Sequence, residues 1–478
     1  MSPAYVLAWL LPWATGTGLY IVLNHGIRRP GDIPAALGNG LLIGLFLAAA
    51  LTCWLAADDP AHALAKVSPW LIGIAVLAWG AAYARRRPHE LLARTPLPTF
   101  WQTMWWLVAA AVIVRLLVLG SEALLRPTFP WDAWSAWAIK PKTWFMLDRF
   151  VAYVDPSQWL RDPTASARTS AIWDYPELLA WVQVWFASAA GSWNEPLINL
   201  AWTGVLGVLG LACYGQWRAL GVGRRLAIGL VYALLSLPLV GAHAALAGYA
   251  DLWLAAAFGM AVLAWLRWIR HREAGQLALA IAFGFCMPLL KLEGAVWLLG
   301  FSLMVALELL PARWRWRATA LLLALGLAGI ALGGFVFPML GLGWVHVSWG
   351  QVVIPVLGAL DLHWRPVGVA MFSGLLTLPN WHLLWYLLPI VVILRWRKLV
   401  HDRASAALAL LLGLCVGFLF VLFFFTDASA WAENYTSANR LILHVVPAVF
   451  SLLALLLADV SAMFPGTDQA RPGRIDPA

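Results

Sequence analysis

A short polar segment at residues 131–142, with the sequence WDAWSAWAIKPK, places one acid and two lysines among tryptophans. A carboxylate such as that of Asp132 can deprotonate a hydroxyl nucleophile, and cations such as Lys140 and Lys142 can stabilise negative charge on a leaving group. A second polar element, DYPE at 174–177, follows in the same stretch. Ionisable groups at a membrane are candidates for function, so both elements are candidate site segments.

The composition indicates a membrane protein. Of 478 residues, 62% are hydrophobic and only 12% are charged, which is more apolar surface than a soluble fold of this size could bury. The net charge of +9 comes from basic residues in short loops between apolar runs, and this placement argues against a nucleic-acid surface. The four cysteines show no spacing typical of disulfides or metal sites, and we interpret them as thiols that pack in apolar segments. They are Cys53, Cys213, Cys286 and Cys415.

The apolar runs predict the transmembrane helices, because each is close to the roughly 20 residues that cross a bilayer core. They lie near residues 4–25, 35–57, 67–84, 100–120, 196–216, 224–243, 250–269, 276–290, 294–310, 318–338, 380–396, 404–425 and 441–460. Basic clusters fall in alternate loops, which the positive-inside rule assigns to the cytoplasm. The sequence therefore predicts an all-α polytopic membrane protein with about thirteen transmembrane helices, an external N-terminus and a cytoplasmic C-terminus.

Two long external loops remain in this topology, at about 121–196 and 339–379. Residues 176–190 are apolar but short, and a crossing there would place the basic cluster at 218–225 outside, so we predict a helix at the outer membrane surface. The apolar stretch at 366–378 is predicted to be interfacial as well. The predicted organisation is a three-helix region at 1–99, a catalytic membrane module at 100–465 and a polar cytoplasmic tail at 466–478.

Most remaining ionisable groups fall at the same external edge. Asp251, Lys291, Glu293, Arg365 and Arg440 all stand near external ends of predicted spans or in the external loops. A channel would need charged or polar rings along a pore, and a secondary transporter tends to place ionisable groups at mid-membrane. Because the predicted span interiors are nearly free of charge, the pattern favours a site at the membrane–water boundary.

In the order of these motifs the chain resembles the GT-C glycosyltransferases, which transfer sugars from polyprenyl-phosphate donors on the outer side of a membrane. That family includes the protein O-mannosyltransferases and the lipid A aminoarabinose transferase. Asp132 stands where the family has its first-loop acid, and Asp251, in GYADLWLA, where it has a second acid. YPEL at 175–178 resembles a proline-containing element, KLEG at 291–294 a lysine-rich turn, and NRLILHVVP at 439–447 the segment that opens the final helices. The likeness covers roughly residues 100–460.

The resemblance implies an integral-membrane transferase of inverting type, in a bacterial inner membrane, that moves a hexosyl or pentosyl group from a lipid-phosphate donor to a glycan, lipid or protein acceptor. Asp132 is followed by Ala-Trp and not by the second acid of the O-mannosyltransferases, so the acceptor does not carry over. A polyprenyl-lipid transporter or flippase is the alternative. An O-antigen ligase or polymerase with a diphosphate donor is another.

Roles follow for single residues. Asp132 is the expected general base, and Asp251 and Glu293 are expected to orient the acceptor or to hold a divalent ion. No metal triad is predicted, and no cofactor besides the lipid-linked co-substrate. The cations expected to bind the donor phosphate are Lys140, Lys142, Lys291, Arg365 and Arg440. The residues expected to support the substrate or the loop are Trp131, Trp134, Tyr175 and Glu177.

Overall fold

The structure is a computed structural model that describes residues 2–85, 98–161, 164, 166–339, 343–355 and 358–459. The predicted tail at 466–478 and the basic residues at 86, 87 and 94 lie outside the described residues. The helices are α1 (Pro3–Leu23), α2 (Asp32–Leu55), α3 (Ala63–Ala84), α4 (Thr99–Leu125), α5 (Ile139–Leu147), α6 (Pro156–Arg161), α7 (Leu178–Ala190), α8 (Glu195–Ala219), α9 (Arg224–Ser236), α10 (Pro238–Ala245), α11 (Asp251–His271), α12 (Ala274–Leu290), α13 (Glu293–Leu309), α14 (Ala312–Ala331), α15 (Gly368–Phe372), α16 (Leu384–Leu394), α17 (Trp396–His401), α18 (Arg403–Phe425), α19 (Ser429–Glu433) and α20 (Ala438–Leu457).

Eight helices in the described part of the chain are long and apolar enough to cross a membrane: α1, α2, α3 with the turn before it, α4, α8, α11, α18 and α20. Helices α9 and α10 add a ninth candidate, bent by 63° where Pro238 begins α10. Proline has no backbone N–H to continue the helical hydrogen bonds, which explains the break. The predicted helical membrane fold is confirmed. The count of about thirteen spans stays a prediction, since α12, α13, α14 and α16 occupy the other predicted spans without passing this test.

Loops that the sequence assigns to one side of the membrane meet at one end of the bundle. Arg267 near the end of α11 lies 2.7 Å from Asp32 at the start of α2, and both side chains are 2% exposed. Glu273, between α11 and α12, accepts hydrogen bonds from both Arg29 and Arg267. Buried charges are stable only when paired in this way, so the α1–α2 and α11–α12 turns are fastened together.

Helix α11 is the centre of the bundle, since every residue from Asp251 to Ile269 is buried. It packs against α8, α12 and α20. Close contacts between other helices depend on glycine: a Cβ at Gly16 of α1 would lie 1.9 Å from the carbonyl oxygen of Gly40 in α2. A Cβ at Gly215 of α8 would lie 2.2 Å from a backbone nitrogen of α2. Small residues allow helix backbones to approach within a membrane, and here they pack the predicted three-helix region directly on α8.

A four-stranded antiparallel sheet is the element that the sequence did not predict. Its strands are β1 (Gly334–Met339), β2 (Gly343–Ser348), β3 (Gln351–Ile354) and β4 (Gly358–Asp361), paired in chain order. The predicted span at 318–338 therefore extended too far, because α14 ends at Ala331 and β1 follows. Val345 and Ile354 from one face of the sheet pack on Ala295 near the start of α13. The predicted interfacial stretch at 366–378 forms α15 and a π-helical turn.

The first long loop folds back on the bundle. Helix α7 has 13 residues, too few to cross a bilayer. It is buried against α1, α2 and α5, whereas a helix resting on a membrane surface would expose one face. The rings of Trp144 in α5 and Trp181 in α7 stack with centroids 4.5 Å apart. The loop is thus a packed layer, and the π-helical turn Ala133–Trp137 at its start fixes the position of Asp132.

Candidate functional site

Asp251, the first residue of α11, lies at the centre of a buried ionic cluster. Its side chain is fully buried, and both carboxylate oxygens accept hydrogen bonds from charged or imidazole groups. Lys291 Nζ lies 2.9 Å from Oδ1, and His444 Nε2 lies 3.0 Å from the same oxygen. Arg440 donates to Oδ2 through Nε at 3.0 Å and Nη2 at 2.9 Å. A buried carboxylate with this many donors is held ionised and in one orientation.

Arg440 connects this buried acid to Asp132. Its Nη1 donates to Asp132 Oδ2 at 3.0 Å while Nε and Nη2 hold Asp251. The guanidinium also lies over the ring of Tyr249, 4.3 Å from its centroid. Arg440 is 16% exposed and Asp132 is 49% exposed, so Asp132 is the open end of the arrangement. Because a planar guanidinium can bind two carboxylates at once, Arg440 joins Asp251 to Asp132, which lies 308 positions before Arg440 in the chain.

Lys291 and Glu293 occupy the turn between α12 and α13. Lys291 Nζ lies 2.9 Å from Glu293 and 2.9 Å from Asp251. Burial alone would lower the pKa of Lys291, but Asp251 and Glu293 raise that pKa above its ordinary value and keep the amine charged. Gly294 fits the turn, because a Cβ there would lie 2.1 Å from the Met287 carbonyl oxygen.

His444 completes the cluster from one helical turn beyond Arg440. Its Nδ1 accepts a hydrogen bond from the indole N–H of Trp297 at 3.1 Å. Indole nitrogen is a donor only, so the proton of the neutral imidazole stands on Nε2, which donates to Asp251. The ring is therefore fixed in one tautomer and serves to orient Asp251.

A cavity of about 460 Å³ opens beside Asp132 and Arg440. Leu239 and Leu378 form part of its wall. Its polar lining includes Asp132, His243, Tyr249, Asn380, Asn439 and Arg440. Burial raises the pKa of Tyr249, and the carboxylates of Asp132 and Asp251 act in the same direction against the opposing charge of Arg440, so the phenol stays neutral. The cavity thus offers an acid, a cation and neutral polar groups to a ligand.

A second group of predicted residues lies in the first loop. Lys140 donates to the carbonyl oxygens of Trp173 at 2.8 Å and Tyr175 at 2.9 Å, and its Nζ lies 3.9 Å from Glu177. Burial lowers the pKa of Lys140 and raises that of Glu177, each partly offset by the charge of the other. Burial also raises the pKa of the Tyr175 phenol, whose ring packs against Trp137. These contacts hold the loop together, and they use the Lys140 amine that the sequence assigned to phosphate.

The remaining predicted site residues are not part of the cluster. Lys142 pairs with Glu195 at 3.1 Å, and Arg365 pairs with Asp427 near the end of α18. Trp131 and Trp134 are exposed, and their rings meet edge to face at 4.7 Å. The cluster therefore unites five of the predicted residues: Asp132, Asp251, Lys291, Glu293 and Arg440.

Sequence reasoning missed His243, Tyr249, Asn439 and the orienting role of His444. A signal existed for His444, because residues four apart on a helix share a face and Arg440 is four residues before it. Tyr249 could have been inferred from its place two residues before Asp251. His243 carries no comparable signal in the sequence, whereas Asn439 directly precedes Arg440 in the segment NRLILHVVP.

In the described part of the chain, the side-chain atoms that could bind a metal ion are found in two places. Both oxygens of Asp251 are taken by protein donors, whereas Glu293 Oε2 has no hydrogen-bond partner among the described residues. Elsewhere, Asp59, His62 and Asp148 bring three potential ligand atoms within 4.8 Å of one another. Lys66 already lies 3.3 Å from Asp59 in that group. The cluster itself is organised around arginine and lysine.

Comparisons with protein-family models, with curated proteins and with solved structures found no match for this chain. The chemistry of the site therefore rests on the contacts described above.

Proposed function

We propose that this protein is a membrane glycosyltransferase that moves a sugar from a polyprenyl-phosphate donor to an acceptor hydroxyl in the cavity beside Asp132. The observation that carries the proposal is the convergence of three distant acids and two cations on one end of the bundle, where Asp132 and Arg440 of this cluster line a cavity. The GT-C resemblance names the same residues Asp132, Asp251 and Arg440 in its motifs.

Asp132 is suited to be the general base. One oxygen, Oδ2, is held by Arg440, and no described residue donates a hydrogen bond to Oδ1. The acceptor hydroxyl gives its proton to Asp132 as its oxygen forms the new bond to the anomeric carbon. The bond from that carbon to the phosphate oxygen breaks at the same time, and the lipid phosphate leaves with the electron pair. Arg440 fixes the carboxylate in the orientation that this transfer requires.

Arg440 is also the best placed cation for the departing phosphate. A guanidinium has five N–H donors, and three donor nitrogens of Arg440 already bind Asp132 and Asp251. N–H groups remain on Nη1 and Nη2 for a phosphate oxygen. Lys291 is less accessible, since its amine binds both Asp251 and Glu293 and its side chain is 6% exposed. Lys140, Lys142 and Arg365 would need to leave the partners described above.

The test is transfer by the purified protein in proteoliposomes, with a panel of mannosyl, glucosyl, galactosyl and arabinosyl polyprenyl phosphates. Asp132→Asn keeps the shape of the side chain and an acceptor for Arg440 but loses the base. We expect transfer to fall by about 10²–10⁴-fold with donor binding largely retained.

Asp155→Asn is the matched control, because Asp155 is an acid of the same loop that binds Ser157 and does not line the cavity. Activity of Asp132→Asn within a few-fold of the parent would refute the role of Asp132. Movement of intact lipid across the vesicle membrane, without release of sugar to any acceptor, would favour the flippase alternative.

A further inference from the structure

His243 in α10 is a buried histidine that lines the cavity and has one ring nitrogen without a partner among the described residues. The side chain is 6% exposed, and the residue lines the cavity. Its Nδ1 lies 2.9 Å from the carbonyl oxygen of Leu239, four residues earlier in the chain. A carbonyl oxygen can only accept, so Nδ1 carries the proton, and in the neutral ring Nε2 is left as an acceptor. No described residue forms a hydrogen bond with Nε2.

Asn439 offers the complementary group. It is also 6% exposed and lines the same cavity. Its Oδ1 accepts a hydrogen bond from the indole N–H of Trp381 at 3.0 Å. Because indole can only donate, the amide orientation is fixed, and Nδ2 is directed away as a donor. Among the described residues no acceptor binds Nδ2.

A buried polar atom without a partner is costly, and native structures rarely keep one without a reason. The hydroxyls of a ligand can donate to His243 and accept from Asn439. The ionised phosphodiester of a lipid-linked sugar cannot satisfy the lone pair of Nε2, because it offers no proton. The ring of Tyr249, with its centroid 5.7 Å from that of His243, adds an aromatic surface on the same side.

We propose that His243 Nε2 and Asn439 Nδ2 form a hydroxyl-binding subsite that selects a polyhydroxylated ring in the cavity. This inference rests on the proposed function and deepens it, since it assigns the sugar to the His243 side of the cavity and the phosphate to Arg440. A site built to bind a hydroxyl discriminates strongly against an analogue that lacks it, because the buried polar groups are then left unpaired.

Two substitutions separate the roles of the two ring nitrogens. His243→Asn can keep the hydrogen bond to Leu239 but removes the acceptor at the position of Nε2. His243→Gln reaches that position with its amide oxygen and restores an acceptor there. An effect that depends on ring packing alone would appear in both variants, whereas loss of hydroxyl binding appears in His243→Asn and is relieved in His243→Gln.

The measurement is binding by the full chain in nanodiscs of citronellyl phosphate and of citronellyl phosphates that carry mannose, glucose, galactose or arabinose. We expect the parent to prefer one sugar-bearing lipid over citronellyl phosphate. His243→Asn should weaken the binding of that sugar lipid about five- to tenfold, the loss typical of one hydrogen bond. Its affinity for citronellyl phosphate should not change. His243→Gln should stay within about threefold of the parent. A deoxy analogue that lacks the bound hydroxyl should not distinguish His243→Asn from the parent.

Asn439→Asp is the second variant, which keeps the acceptor for Trp381 and loses the donor, so the inference stays testable if His243→Asn does not fold. Equal binding of the sugar lipid by the parent, His243→Asn and Asn439→Asp would overturn the subsite and leave the proposed function intact. Equal weakening by His243→Asn and His243→Gln would also overturn it. A parent that binds neither citronellyl phosphate nor any sugar lipid would overturn the proposed function, and the subsite with it.

Discussion

Asp251 is the residue on which the buried ion pairs depend. The cluster holds three carboxylates, those of Asp132, Asp251 and Glu293, and two cations, Lys291 and Arg440. Only Asp251 contacts both cations, and it is the one fully buried acid among them. The attraction between these charges offsets their desolvation only while the set is complete. The site therefore combines a fixed, buried half with one half-exposed acid, Asp132.

We predict that Asp251→Asn lowers the free energy of unfolding in detergent by about 3 kcal/mol or more, the lower end of the cost of breaking a buried ion pair. The cause is that Lys291 and Arg440 lose the charge between them. Asp251→Asn combined with Lys291→Met should recover part of that stability but no transfer activity, since it removes one uncompensated cation. Unfolding followed by tryptophan fluorescence and circular dichroism measures both effects. If the single variant is as stable as the parent, the cluster is not the buried anchor described here.

Arg440 gives a second prediction at this scale. Arg440→Ala should weaken binding of a polyprenyl-phosphate sugar about ten- to a hundredfold, the effect of losing a charged hydrogen bond. Arg440→Lys should be intermediate, because an ammonium is a point charge that cannot hold two carboxylates and a phosphate in one plane. Donor binding in nanodiscs, measured on the folded fraction alone, checks the order. Unchanged binding by Arg440→Ala would make Arg440 a structural partner of Asp132 and Asp251 only.

The charged half of the site could be predicted from the sequence. A nearly uncharged chain leaves few ionisable residues at helix ends, and those that remain, such as Asp251 and Arg440, have reason to meet. The sequence could not say which cation pairs with which acid, so Lys142 and Arg365 were included although each has a partner elsewhere. Neutral polar residues such as His243 and Asn439 were missed, because only tertiary packing shows that one of their atoms lacks a partner.

At the scale of elements, the long apolar helices were predictable and the sheet was not. An apolar run of about 20 residues can cross a bilayer only as an α-helix, because its backbone polar groups must be hydrogen-bonded within the segment. Residues 334–361 are also apolar and rich in valine, and such short runs fit a strand or a buried helix equally well. The pairing of Phe337 with Val345 and of Val352 with Leu360 exists only through the antiparallel ladder. Strand pairing, unlike helix formation, depends on a partner that the local sequence does not name.

Glycine contacts between helices predict that the same Gly→Ala substitution affects the free energy of unfolding very differently at a packed and at an open position. Gly16→Ala would place a Cβ 1.9 Å from the Gly40 carbonyl oxygen, where neither backbone can move cheaply. We expect a loss of about 1–3 kcal/mol in the free energy of unfolding, the usual cost of overpacking. Gly73→Ala in α3 is the matched control, because no atom lies within 4 Å of the new Cβ. It should be neutral or slightly stabilising, and equal effects at both positions would contradict the packing of α1 on α2.

The first loop predicts a pH effect. Burial raises the pKa of Glu177 above its ordinary value of 4.5, with Lys140 opposing. The folded protein then holds this proton more tightly than the unfolded chain, so the stabilisation is present below pH 4.5 and is lost as the pH rises through the raised pKa. Glu177→Gln imitates the protonated form. Its melting temperature should match that of the parent at low pH and exceed it increasingly as the pH rises.

Asp155→Asn should change the melting temperature in the opposite direction, so that it falls increasingly below that of the parent as the pH rises. The hydrogen bond from the Ser157 hydroxyl lowers the pKa of Asp155, which therefore stabilises the fold when ionised. The measurement is thermal unfolding of the parent and the two variants between about pH 4 and 7, a range that begins near the ordinary pKa values of carboxyl groups. A constant offset of Glu177→Gln across this range would show that Glu177 is not buried as described.

At the scale of the whole molecule, the two ends of the bundle differ in chemistry. One end joins Arg29, Asp32, Arg267 and Glu273 in pairs that fasten neighbouring turns. The other carries the cavity, the first loop and the sheet. Helix α11 connects them, with Asp251 at its first residue and Arg267 near its last turn. Its 21 residues correspond to roughly 30 Å, the thickness of a bilayer core. Under the proposed function, a donor lipid in one leaflet would reach the cavity but not the opposite end.

The difference between the two ends of the bundle predicts a labelling pattern for single cysteines, introduced after the four native cysteines are replaced. Cysteines at Ser157 in the first loop and at Trp349 in the sheet should react with an impermeant thiol reagent added outside the cell. Cysteines at Arg28 and Arg313 should react only after the membrane is opened. All four positions are exposed, so access depends on the side of the membrane and not on burial.

The decisive position is Gly223, before α9, where an ordinary φ of −60° accepts any side chain. A cysteine there should be protected from outside, because α7 has 13 residues and turns back on α2 and α5 without crossing. Together with protection at Arg28, this outcome would place all the basic turns on one side, as the positive-inside rule requires. External labelling at Gly223 with protection at Arg28 would mean that α7 completes a crossing. In that case Asp132 would lie outside and Asp251 inside, and the joint binding of both acids by Arg440 described here would be wrong.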